Sequence, residues 1–490
     1  MAELEYEDIQ GIIYRGYGNL PAAYIVLLRM EEGRAQDAKN WLKNLVGDIT
    51  NAEKKDRVEA VQVAFTLQGL RKLGLQEGQT RFSCEFEEGM TPGFKQRTLG
   101  DHGDSDPATW AWGGTQDDAE PIHVLLMLYA AASEDDDDAQ LEQLYQAHQQ
   151  RFEAGGLAEV KRLSTRTLIK RKEHFGFADG IAQPILPGTR LASEPKNAAN
   201  VIAAGEIILG YPNAYDKYPE SPSVPASLDP NNLLLKEDGS HDLGHNGSYL
   251  VFRQLSQDVK AFWDFVDKTT QKNGQSDPAA RDWVAAKMVG RWRSGVPLVL
   301  SPDKDDPNLD PSDTFGYIQP QPDGTGGNDP LGIKCPLGSH IRRSNPRDSV
   351  FPGTKDALTM SKVHRILRRG RSYGPPVAPS MEPDDILAAE DPHEKRGLHF
   401  ICFNTDIGRQ FEFVQQTWLC NPKFASMYRE LDPLVGDHGK RHRGSKGIFT
   451  IPADPLRKRI TGVTRYVNVR GGAYFFLPGI KALRVLAELP

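Results

Sequence analysis

GSYLVFRQL, residues 247–255, is a short apolar and aromatic block behind an Asn-Gly turn signal, and apolar residues at helical spacing follow it from Asp258 to about Thr269. A block of this length bounded by turn residues reads as a strand, whereas apolar residues three and four apart read as one face of a helix. The same strand-then-helix unit occurs earlier: residues 23–30 (AYIVLLRM) follow Pro21 as a buried strand, and residues 35–46 (AQDAKNWLKNLV) follow as a helix. Strands are expected also at 61–66, 122–131 and 398–404, and helices at 137–153, 279–292 and near 409–418. The Asp135–Asp138 run suits the positive end of a helix dipole and reads as a solvated helix start. Strands and helices mix without regular βαβα alternation, which predicts an α+β fold with antiparallel sheets rather than a doubly wound parallel sheet.

The strand-then-helix order recurs on both sides of a polar, Pro- and Gly-rich stretch at 186–246 that holds Pro219, Pro222, Pro225 and Pro230. The domain junction is placed there, giving halves of residues 1–200 and 201–490, with a duplication suggested by element order alone. Residues 301–330 read as a long Pro/Gly/Asp loop, a length usually reserved for function or disorder. With 39% hydrophobic and 9% aromatic residues, the chain can bury a sizeable core and is unlike a disordered one. The net charge of −7 excludes the broad basic surface that binds nucleic acid, and disfavours an anionic membrane. No stretch approaches the roughly 20 apolar residues of a membrane span. Four cysteines without CxxC spacing argue against zinc-ribbon or thioredoxin chemistry and for a reducing compartment. The acidic start, Met1-Ala2-Glu3-Leu4-Glu5, lacks a signal peptide's basic and apolar regions. Both features make a cytoplasmic location the expectation, with export of a processed form left open.

Three clusters can carry chemistry. In His174-Phe175-Gly176-Phe177-Ala178-Asp179-Gly180 a carboxylate sits between glycines, which permit close backbone approach to a flat ligand; a plain Asp-Gly turn is the bland alternative. In Ser339-His340-Ile341-Arg342-Arg343-Ser344-Asn345-Pro346-Arg347 one histidine lies among arginines. Histidine is the usual nitrogen ligand of haem iron, and arginine suits propionate carboxylates; a surface basic patch is the alternative. In Arg365-Ile366-Leu367-Arg368-Arg369-Gly370-Arg371 four arginines fill seven positions, as an anion site or an exposed basic strand.

The order of these clusters resembles the dye-decolorizing peroxidase family, a resemblance that covers most of the chain. Asp8-Ile9-Gln10-Gly11, Trp110-Ala111-Trp112-Gly113, Asn246-Gly247-Ser248-Tyr249 and Arg470-Gly471-Gly472-Ala473-Tyr474 extend it, and the length and insertions resemble the larger branch of the family. The resemblance implies two ferredoxin-like halves of the dimeric α/β-barrel type, with one haem b per chain in the C-terminal half. It implies His340 as the proximal iron ligand, Asp179 as the distal acid–base and Arg368 as the distal arginine, with Arg369 as the alternative. Gly180 and Arg343 would flank the cofactor. Asp406 would accept the hydrogen bond of the proximal imidazole, with Glu412 as its rival. Hydrogen peroxide and bulky aromatic reductants such as dyes and phenolics are the implied substrates. A carboxyl whose free pKa is near 3.9 is a weak base at neutral pH, so an acidic optimum is implied. Tyr and Trp residues supply candidate surface oxidation sites, unranked by the sequence.

Two other functions remain open at this point. A haem carrier would keep His340 without needing both Asp179 and Arg368, and a haem-free anion-binding module would use the Arg365–Arg371 cluster. A metal site at His241 and His245 is disfavoured by the turn residues around it. Oligomeric state is not legible.

Overall fold

The computed structural model describes residues 3–53, 58–116, 120–131, 138–320, 324, 326–350, 356–391, 395–438 and 447–490. Residues 135–137 of the acidic run lie outside them.

The first half runs β1 (Ala22–Met30), α1 (Ala35–Leu45), β2 (Glu59–Phe65), β3 (Val124–Ala130), α2 (Ala139–Ala154) and β4 (Leu157–Ser164). Its strands lie in the order β4-β1-β3-β2, each pair antiparallel, which is the ferredoxin-like arrangement. β1 and β3 read as unbroken apolar runs because both of their faces are covered. Val26 and Leu28 join the layer that contains Trp41 and Leu42 of α1, while Ile25 and Leu27 join the apolar cluster of the other face. α1 buries Ala38, Trp41, Leu42 and Leu45, the three-and-four spacing of a helix that covers a sheet.

The second half repeats the plan with insertions. It comprises β5 (Ser248–Gln257), α3 (Val259–Thr270), α4 (Pro278–Val289), α5 (His340–Ser344), β6 (Leu367–Arg368), β7 (Arg371–Tyr373), β8 (Gly397–Asn404), a wide-turn helical segment (Gly408–Glu412 and Val414–Leu419), β9 (Val467–Leu477) and α6 (Ile480–Ala487). Asp258 and Asp277 cap α3 and α4 by accepting the amides of Ala261 and Ala280, and Pro278 occupies the first turn of α4. The strand order is β9-β5-β8-β6, with β7 pairing farther along β8. That is again fourth-first-third-second, so the two halves share a topology as well as an element order.

The two sheets join edge to edge through the pairing of β9 with β2 at Phe476 and Phe65. The last helix returns to the first half, where Lys39 Nζ donates to the Leu489 carbonyl at 2.7 Å. One apolar layer accordingly contains Leu28 and Phe65 together with Tyr249, Phe476 and Leu483.

The α+β, antiparallel expectation stands. The sequence reading passed over β4, whose alternation of charged and apolar residues leaves no apolar run. It gave β6 and β7 only as the bland alternative for the arginine cluster. Among the described residues, 301–330 contain no helix or strand, and no helix is long and apolar enough to cross a membrane.

Candidate active site

A cavity of about 300 Å³ lies against the sheet of the second half. Alternation on β5 turns Arg253, Leu255 and Gln257 toward it, β8 adds Leu398 and Phe400, and β9 adds Val467 and Val469. The first half contributes the 173–182 loop, so both halves close the site.

His340 lines this cavity. It begins α5 just after Ser339, whose hydroxyl donates to the Lys287 carbonyl at the end of α4 at 2.5 Å. The imidazole Nδ1–H donates to Asp432 Oδ2 at 2.9 Å. Asp432 is fully buried, and its Oδ1 accepts the amides of Leu434 (2.9 Å) and Val435 (3.0 Å). Burial opposes charge on His340, but the charge and hydrogen bond of Asp432 outweigh it and raise the imidazole pKa. Burial likewise pushes Asp432 up, but His340 and the backbone donors hold it below the usual carboxylate range. With Nδ1 committed, Nε2 is the nitrogen left for a ligand. No hydrogen bond to it occurs among the described residues.

Asp406 does not occupy this role. Its oxygens accept the backbone and side-chain N–H groups of Arg409 at 2.8 and 3.3 Å, which ties down the start of the helical segment. Glu412, the rival, is bound by Lys95 and Tyr474. Asp432 was invisible in sequence because it lies 92 residues from His340 in a stretch with no motif.

The arginines near His340 are not a surface patch. Arg342 and Arg343 are buried. Arg343 donates to the carbonyls of Trp418 (2.6 Å), Asn421 (3.2 Å) and Glu430 (2.7 Å) and does not line the cavity, so it fixes the chain around the site rather than flanking the cofactor. Arg347 and Arg365 do line it. Arg347 is tied to Asp313 and to the Phe315 carbonyl. Arg365 meets Asn200 Oδ1 at 3.4 Å and forms no ion pair among the described residues, although burial pushes its guanidinium down to about 10. A buried, unpaired guanidinium on a cavity wall fits an anionic ligand group such as a propionate.

Asp179 and Arg368 come together on the same cavity, with Oδ1 and Nη1 at 3.6 Å. Arg368 is held by its Nη2 bond to the Ala182 carbonyl (3.0 Å) and by Gln183, which accepts its backbone N–H (3.1 Å). Arg369 points elsewhere: it donates to the carbonyls of Ile12 and Ile13 and does not line the cavity. The glycines of the Asp179 loop have conformational roles. Gly176 has φ +92° and a Cβ there would meet the Met381 carbonyl at 2.9 Å; Gly180 has φ +76°. Gly180 is exposed and outside the cavity wall, so the structure gives it a turn, not a cofactor contact. His174 is turned away, bonded to the Tyr373 carbonyl at 2.8 Å. His241 and His245 serve separate partners, Asp229 and Glu5, and no cluster of metal-binding side chains occurs among the described residues.

A carboxylate-backed histidine, an Asp–Arg pair and a buried arginine without an ion pair among the described residues thus line one cavity of an α+β chain. No family model matches the chain. It is 29% identical over 446 residues to Peroxidase 2 of Mycetinis scorodonius, covering 87% of this chain and 76% of that protein. It is 29% identical to a dye-decolorizing peroxidase of Mycena epipterygia, covering 88% and 76%. Its fold superposes on the crystal structure of a DyP-type peroxidase of Anabaena with a TM-score of 0.75 at 26% identity, covering 98% and 94%. Over most of its length the chain is thus similar to dye-decolorizing peroxidases in sequence and in fold.

Proposed function

We propose that the protein reduces hydrogen peroxide with Asp179 as the proton carrier, Arg368 as the electrostatic partner and His340 as the iron ligand, and that bulky organic donors such as dyes and phenolics are oxidised in return. The single observation that carries this reading is the convergence of all three side chains on one cavity from segments far apart in sequence.

Haem b fits the donor set. His340 would hold the iron through Nε2, Asp432 would fix the ring and raise its basicity, and Arg365 and Arg347 would meet the propionates. When bound, haem would supply the two electrons, from iron and porphyrin together, and later regain them from the donor. The chain's own residues manage the proton and the charge. An Asp179 carboxylate oxygen accepts the proton of the inner peroxide oxygen and returns it to the outer one, which leaves as water. A positioned acid–base of this kind contributes about 10²–10⁴ in rate. Arg368, permanently charged, stabilises the negative charge that develops on the departing oxygen. Asp179 and Arg368 stay partly exposed, at 40% and 35%, which leaves room for peroxide and water to reach them.

The test is the rate of the peroxide reaction in Asp179→Asn and Arg368→Leu, followed by stopped-flow absorbance in haem-loaded protein. Each variant is expected to keep its haem band and to react with peroxide at least about a hundredfold more slowly. Wild-type rates in both would return the protein to the haem-carrier reading.

A further inference from the structure

We propose that Glu173, on the cavity wall, is a positioning residue for Asp179: its carboxylate closes the hairpin that carries Asp179 and anchors it to β5 of the other half. This role rests on the peroxidase reading of Asp179.

Residues 171–179 fold back on themselves. Lys172 and Ala178 form a bridge, Glu173 N–H donates to the Phe177 carbonyl (2.9 Å), Gly176 N–H to the Glu173 carbonyl (2.8 Å), and Asp179 N–H to the Arg171 carbonyl (3.1 Å). This pattern leaves the Phe175 and Phe177 amides without backbone partners, in a loop where both phenyl rings are buried. Glu173 takes both. Oε2 accepts Phe175 N–H at 3.0 Å and Oε1 accepts Phe177 N–H at 3.0 Å. A buried amide must be paired, so these two bonds define the loop shape.

A third donor ties the hairpin to the sheet. Gln257 Nε2, at the end of β5, donates to Glu173 Oε2 at 2.8 Å. The Gln257 amide gives its NH₂ to Glu173 although its own Oε1 is then buried without a partner. The outer surface of the hairpin is fixed by α3: Trp263 Nε1 donates to the Phe175 carbonyl at 3.1 Å, and the Phe177 ring lies parallel to Trp263 at 6.3 Å. The aromatic contacts hold the loop from behind. Glu173 and Gln257 hold it on the cavity side, where Asp179 acts.

The hydrogen bonds of Glu173 give it a positioning role. Three donors already occupy its oxygens, and no cation pairs with it among the described residues. Burial pushes its carboxyl up to about 7, with the charge of nearby Asp179 adding to the rise. Its two oxygens satisfy both amides and the Gln257 amide at once.

The test is a double-mutant cycle in the haem-loaded protein, with amide hydrogen exchange of residues 174–180 as an independent readout. Glu173→Ala is expected to slow the peroxide step by up to about a hundredfold, the scale of an ångström-level misplacement of a catalytic group. The KM for the organic donor should stay unchanged. In an Asp179→Asn background the same change should cost nothing further, and exchange across 174–180 should accelerate. Independent, multiplicative losses from the two substitutions would overturn the proposal, as would unaltered exchange. Glu173→Gln, which keeps the size and one acceptor oxygen, gives the same readings if the alanine variant does not fold, with a smaller rate loss. If Asp179→Asn itself reacts at the wild-type rate, the function assigned to Asp179 fails, and hydrogen exchange alone then decides whether Glu173 shapes the loop.

Discussion

His340 and Asp179 line one cavity but are supported in different ways. His340 stands at the start of a five-residue helix, bonded to an Asp432 that is fully buried, and the next turn carries two arginines whose guanidinium groups are spent inside the protein. Asp179 and Arg368 instead keep 40% and 35% of their side chains exposed and approach each other only to 3.6 Å. The difference fits the roles proposed for the two residues. A ligand nitrogen has to be held in one orientation, and Asp432 fixes the His340 ring. A group that takes up and releases a proton must admit peroxide and water, so it is supported from behind and left open in front.

Removing the fixed side should have the largest effect. His340→Ala is expected to lose the haem absorption band after purification and haemin titration while circular dichroism stays native; a normal band would mean that another side chain holds the iron. Asp432→Asn should rank next. It leaves the ring in place but removes the anion at Nδ1, and about 10–100-fold weaker haem binding is expected in a haem-transfer competition. The corresponding Asp406→Asn should leave haem affinity unchanged, since Asp406 serves Arg409. Equal losses in the two variants would erase the distinction drawn between them.

Smaller effects test whether the support is structural. Arg343→Ala strands the buried carbonyls of Trp418, Asn421 and Glu430 and should lower stability by about 1–3 kcal/mol in urea melts of the apoprotein. Far from both walls, Glu5 provides a control. Burial opposes its ionisation, but Lys481 and His245 outweigh that and bring its pKa to about 2 from 4.5. A depressed carboxylate contributes stability above its unfolded pKa and loses it as pH falls through the folded one. Wild type should therefore lose its advantage over Glu5→Gln between pH 4.5 and 2, by less than about 1 kcal/mol because the pair is partly exposed. A pH-independent difference would remove this assignment without touching the cavity.

Much of the fold was legible because burial on both faces of a strand leaves a continuous apolar run, as in 23–30, and burial on one helix face leaves the spacing of Trp41, Leu42 and Leu45. What escaped were elements without such a signature. β4 alternates charge with apolarity, and β6 is two residues long, paired only because β8 lies beside it. At the site, His340, Asp179 and Arg368, which the structure brings to one cavity, were legible as candidates because each sits in a motif. Asp432 and Glu173 carried no role in the sequence, and Arg365 only a place in the arginine cluster, since His340, Gln257 and Asn200, which they meet, lie in distant segments. Gly180 and Arg343 were placed near the cofactor by proximity in sequence, whereas their side of the chain is used for a turn and for buried carbonyls.

The sequence by itself determined the α+β class, the resemblance to dye-decolorizing peroxidases and the candidate residues, because periodicity and short motifs are local properties of the chain. Only the tertiary structure decided which carboxylate meets His340, that Arg368 rather than Arg369 enters the cavity, and that both halves close it. The reason is physical: adjacent residues of a strand point to opposite faces, and hydrogen bonds act over about 3 Å regardless of separation along the chain. One position in register separates Arg368 from Arg369, and 92 positions in sequence do not separate His340 from Asp432.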